Sequence, residues 1–234
     1  MFTGPNIVTE GLILALDAGN KKSYPGSGTT WTDLSGQGNN ATLTNMSATP
    51  LDSGNGGSLV FDGANDYTKI THNSTIDFTT NSFSIHAWIR THQLGSTRFI
   101  IGKGSGNSIN SSTAYNLYLG NTGTTWLFGV WDGSGNISTG STDYVVINTW
   151  VNLCGVYDSI NGNQKLYTNG KLVDTDIRTV DSISTTNDLY IGAGAQGTGV
   201  WDGNISQVQI YNRALTAQEV QQNYNATKSR FGLT

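Results

Sequence analysis

Few side chains in this sequence could make or break a covalent bond. The two glutamates, Glu10 and Glu219, are 209 residues apart in the chain, and neither sits in a context that suggests an acid–base pair across a glycosidic bond. The aspartates fall mostly in turn contexts such as Asp62-Gly63 and Asp202-Gly203, where a carboxylate accepts hydrogen bonds from its own backbone. An aspartate pair at glycosidase separation stays open at this level. His72, His86 and His92 belong to no HExxH pattern and no Cys/His cluster, which removes the usual zinc chemistry. Cys154 alternates within a strand-like run and reads as a small buried hydrophobe rather than a nucleophile. Catalysis is not expected.

Two binding chemistries have residues to support them. Calcium takes roughly six to eight oxygen ligands. The run FDGANDY places Asp62, Asn65 and Asp66 in one tight loop, and WDGN adds Asp202. These residues would hold one structural calcium, or else only cap turns. Sugars stack their C–H faces on aromatic rings. Trp88 shares a strand face with His86 and Arg90, Tyr115 opens an alternating strand, and Trp126 and Trp131 flank glycine-containing sequence. Those four rings are the candidate ligand surface; filling the core is the alternative.

Something must position these groups, and the composition points to β-structure. Charged residues make up only 12% of 234 residues, with 30 Gly and 3 Pro, so polarity comes from turn-forming and solvated-strand residues. The length suits one large β-sandwich. A net charge of −4 argues against a nucleic-acid partner, which would need a basic stripe. No apolar run approaches the ~20 residues that span a bilayer. The opening Met1-Phe2-Thr3-Gly4-Pro5 has no export-signal character.

Short apolar runs recur with turns between them. They are Leu12–Leu16, Ser58–Phe61, Phe83–Arg90, Tyr115–Leu119, Trp126–Trp131, Trp150–Tyr157, Leu189–Ile191 and Gln207–Tyr211. In the third, Phe83, Ile85, Ala87 and Ile89 share one face, and Ser84, His86, Trp88 and Arg90 the other. Asn169-Gly170 between Lys165–Thr168 and Lys171–Val173 predicts a type I′ hairpin. Thr216 and Glu219 form a capping box, with Leu215 and Val220 as its hydrophobic staple, and predict a helix to about Ala226. Residues 1–10 read as an arm, 11–228 as one domain and 229–234 as a tail.

The ordered series FDGANDYTKI, FSIHAWI, TWVNLCGVYD, YTNGKL, LYIGA and WDGNISQVQIYNRALTAQEVQQNY resembles the laminin-G-like and pentraxin-like jelly rolls of the concanavalin A-like group. That resemblance implies an all-β fold: a two-sheet antiparallel jelly-roll β-sandwich with one short C-terminal helix. It also implies that the loops holding Asp62 and Asp202 lie near one sandwich edge, where some members hold calcium. Pentraxin-like relatives join two of these strands by a disulfide. The matching positions here are His86 and Cys154, so the bridge is absent, but the two side chains are expected to be cross-strand neighbours. The acidic loop of the double-calcium pentraxin site is replaced by Gly194–Gly199, which has no carboxylate.

Stand-alone domains similar to this one look like bacteriophage-associated proteins. The resemblance therefore implies a non-catalytic virion structural protein, as capsid decoration, fibre or adhesin, displayed on the virion surface. Its partners would be other virion proteins or glycans, and it would be a homo-oligomer. The alternative is a carbohydrate-binding module of a bacterial or phage extracellular system, and third a glycoside hydrolase or lyase on the same fold.

Overall fold

The computed structural model describes residues 5–104, 114–120, 124–132, 138–141, 144–180, 182–183 and 185–234. The first four residues of the expected arm lie outside them. In chain order the strands are β1 (Leu12–Asp17), β2 (Thr30–Trp31), β3 (Ala41–Thr44), β4 (Leu51–Asp52), β5 (Ser58–Asp62), β6 (Tyr67–Ile70), β7 (Phe83–Thr91) and β8 (Arg98–Lys103). They continue with β9 (Ala114–Leu119), β10 (Trp126–Trp131), β11 (Ser138–Gly140), β12 (Val151–Asp158), β13 (Asn163–Thr168), β14 (Lys171–Ile177), β15 (Leu189–Ile191) and β16 (Asp202–Tyr211), before helix α1 (Ala217–Thr227).

Two antiparallel sheets result. One runs β14-β13-β12-β7-β16-β5-β4, with β1 also paired to β16; the other runs β11-β10-β9-β8-β15-β6-β3-β2. The sandwich, its antiparallel pairing and, among the described residues, the single α-helix agree with the expectation. Asn169 (φ 50°) and Gly170 (φ 75°) adopt the left-handed angles of the expected hairpin. Thr216 and Glu219 make both bonds of the capping box.

The core lies between the sheets. Phe83, Ile85, Ala87 and Ile89 of β7 meet Tyr115, Leu117, Phe128 and Val130 of the facing sheet in one buried cluster. Gly155 makes a close approach possible. A Cβ there would lie 2.3 Å from the Phe128 ring, so the ring packs directly on the β12 backbone.

The second face of β7 is not open. A third layer, built from α1 and both chain ends, covers it. Trp88 stacks on Phe231 with centroids 4.1 Å apart and donates its indole N–H to Thr227 Oγ1 at 2.7 Å. Val8 N donates to Asn223 Oδ1 at 2.8 Å, and Tyr211 OH donates to Val8 O at 3.0 Å. Arg230 grips both Asp17 oxygens, at 2.8 and 3.0 Å. The described part of the arm and the tail are therefore packed into the domain rather than set apart from it. Burying the Phe231 ring alone contributes about 2 kcal/mol.

Edges are managed by length and charge. The edge strands β2, β4 and β11 have 2, 2 and 3 residues, whereas β14 has 7. On β14, Asp174 and Asp176 pair with Leu166 and Gln164, positions that face the sandwich interior. Inward-aimed charges discourage an added strand there.

Candidate binding cleft

The four rings expected to form a ligand surface do not form one. Trp88, Trp126, Trp131 and Tyr115 are 0%, 2%, 4% and 0% exposed. Tyr115 lies against Phe78 and Phe83 and donates its hydroxyl to Ile76 O; its burial pushes the phenol pKa well up. Trp126 meets Trp201 between the sheets, and Trp88 lies under the third layer. Strand alternation assigned Trp88 a polar face, but that face is covered, and the other three rings are buried as well. A ring that is exposed is Tyr144, at 87%, in the segment with exposed Val146 and Ile147. Its Tyr-Val-Val-Ile context looks like core sequence, so pattern alone could not have marked it.

The candidate calcium ligands cluster only in part. Asp62 and Asp202 sit opposite each other where β5 meets β16. Asp62 Oδ1 accepts from the backbone N–H groups of Ala64 and Asn65 at 2.8 and 3.3 Å, and Asp66 Oδ2 accepts from Asp62 N at 3.1 Å. Asn65 presents its carbonyl to Asn45 Nδ2, and Asp202 Oδ1 lies 3.6 Å from His92 Nδ1. Among the described residues no group of three or more His, Cys, Asp or Glu side chains could hold a metal ion. Asp66 Oδ1 is buried without a partner. Burial also raises this carboxyl's pKa, with the Asp62 charge adding to it. These residues fit turn capping, not a calcium cage. The thermal midpoint is expected to be the same in millimolar calcium and in chelator; a calcium-dependent rise in a melting curve would contradict this.

A cleft does open at the opposite end of the sandwich, beside Phe83, Asp158 and Tyr211, with a volume of about 820 Å³. Its described lining is mainly hydroxyl and amide side chains, including Ser35, Gln37, Thr75, Asn81 and Ser159, with one carboxylate, Asp77, and one guanidinium, Arg213.

The cleft walls are cross-braced. Asn73 caps the short 3-10 turn Ser74–Ile76 by accepting from Thr75 N. Its amide donates to Asn39 Oδ1 at 2.8 Å, and Asn39 in turn donates to Ile13 O at 2.7 Å. Ser159 N donates to Ser82 Oγ at 2.9 Å and joins two turns across the rim. Asp77 Oδ1 accepts from Thr185 N at 3.3 Å. Behind it Lys103, fully buried, donates to Thr185 O at 3.0 Å and to Asn187 O, and meets His72 Nδ1 at 3.2 Å. Burial lowers the Lys103 pKa to about 8 against the opposing pull of Asp77 and Asp188. Among the described lining residues the single carboxylate offers no acid–base pair of the glycosidase kind.

A model of the concanavalin A-like lectin/glucanases superfamily matches residues 62–221. No curated protein matches the chain. Among solved structures, the binding domain of Paraclostridial Mosquitocidal Protein 1 is 17% identical, with a TM-score of 0.71, and the match covers 93% of this chain and 52% of that one. The receptor binding domain of the botulinum neurotoxin C/D mosaic serotype is 17% identical, with a TM-score of 0.70 and coverage of 93% and 51%. The botulinum neurotoxin type G receptor binding domain is 20% identical, with a TM-score of 0.63 and coverage of 92% and 51%. This chain thus spans about half the length of these solved chains. At such identities the likeness is one of fold.

Proposed function

We propose that this chain, which belongs to the concanavalin A-like lectin/glucanases superfamily, is a non-catalytic binding domain whose polar end cleft holds a glycan. The cleft itself carries the proposal: about 820 Å³ lined by hydroxyls and amides with one carboxylate among the described residues, a set that reads hydroxyl groups by hydrogen bonding without attacking a bond. The structural neighbours named above are binding domains, which is consistent with such a role. Gln37 and Asn81 are exposed on the rim, so replacing both with alanine should leave the melting curve intact. The double variant should bind an array-identified glycan at least tenfold more weakly, about 1.4 kcal/mol. Full affinity in that variant would place the ligand elsewhere.

As the finer part of this proposal, the domain is carried on a virion surface beside capsid or fibre proteins, where several copies would turn weak contacts into avidity. Support comes from the pair His86 and Cys154, opposed across β7 and β12 where relatives carry a bridge: a fold of extracellular type without its disulfide suits folding in a reducing compartment. Mass spectrometry of purified particles tests this, and consistent absence of the chain from them would remove the virion placement.

A further inference from the structure

We infer that the cleft selects uncharged glycans over sialylated or sulfated ones, an inference that rests on the glycan reading above. The guanidinium among its lining residues is already committed. Arg213 Nη2 and Nη1 bind the two Glu219 oxygens at 2.7 and 2.9 Å, and its Nε donates to Glu10 O at 3.1 Å. Glu10 and Glu219 both act electrostatically on Arg213, and Asp77 is a carboxylate in the wall itself. Lys103 stands near Asp77, but its side chain is fully buried and its ammonium is aimed at backbone carbonyls and His72. Lys69, the next cation along, is paired to Asp188 at 3.1 Å.

An anionic sugar entering this cleft would lose hydration without meeting, among the described lining residues, a cation free to replace it, an uncompensated desolvation. It would also meet the Asp77 carboxylate in the wall. Neutral hydroxyls meet no such barrier, because Ser, Thr, Asn and Gln side chains both donate and accept.

The test is a matched set of one oligosaccharide core presented uncapped, sialylated and sulfated, measured by array and by calorimetry at low and physiological salt. The uncapped form should bind at least tenfold more tightly than either anion, with little change in salt. Gln37→Lys, at the exposed rim, should raise binding of the sialylated form. A sialylated or sulfated probe that binds wild type as well as the uncapped core overturns the inference while leaving the glycan reading standing. A Gln37→Lys variant with unchanged selectivity also overturns it, by locating recognition away from the cleft. No binding of any of the three forms removes the glycan reading and this inference with it.

Discussion

Lowering the pH from 7 to about 4 is expected to remove on the order of 3 kcal/mol of stability through His86 alone. The side chain is 1% exposed on β7, with Cys154 opposite it on β12 and Gln209 opposite it on β16. Neither ring nitrogen has a well-formed hydrogen bond. Burial lowers its pKa from 6.5 to about 4, and the nearby Asn152 amide opposes this only in part. The native state therefore stays unprotonated where the unfolded chain takes up a proton. Stability is complete above pH 6.5 and drains as pH falls from 6.5 to about 4, because the unfolded state binds the extra proton. Glu219, whose pKa the Arg213 hydrogen bond holds down at about 2, loses its own contribution only below the usual carboxylate range, so the two windows separate. Urea unfolding at several pH values should show the midpoint falling through this upper window, and His86→Leu should flatten it. An equal slope in the variant would mean that another group carries the effect.

His86 also shows where the fold was legible in the sequence and where it was not. Alternation along Phe83–Ile89 assigned the core face correctly, because residues two apart on a strand must share a side. The same pattern could not say what covers the other side. Ser84, His86 and Trp88 look like a solvated face until α1, Val8 and Phe231 close over it, and those groups lie over 100 residues away in sequence from β7 or at the opposite chain end. Local chemistry was readable: Asn169-Gly170 and the Thr216–Glu219 box form as expected, since each depends only on neighbours. The cleft was not readable. Gln37, Asp77, Asn81, Ser159 and Arg213 come from separate turns, none with a motif, and only the packing of the sandwich end brings them together. The aromatics failed as site markers for a related reason. A large ring earns its place by burial first, and with 10 Tyr, 7 Phe and 6 Trp most rings here supply core volume.

The variant His86→Cys is expected to form a disulfide with Cys154 and to stabilise the protein by about 4 kcal/mol, from closing a loop of roughly 70 residues in the unfolded chain. Positions 86 and 154 are direct partners in the β7–β12 register. Directly opposed residues on antiparallel strands have Cα atoms about 4.5 or 5.5 Å apart, both within the span a disulfide bridges. Burial makes Cys154 unreactive as a thiol by pushing its pKa far up, so oxidation should proceed during folding, before α1 and the chain ends cover the pair. Once closed, the bridge should resist mild reductant in the native state. The substitution also removes the histidine whose protonation drains stability, so the gain over wild type should be larger at pH 5 than at pH 7, a signature that the crosslink alone would not give. For a domain of this size the oxidised variant should melt about 10 °C higher than its reduced form. Two free thiols per chain after refolding under oxidising conditions, or a midpoint that stays the same once the bridge has been reduced in denaturant, would show that the register or the covering layer differs from the one described.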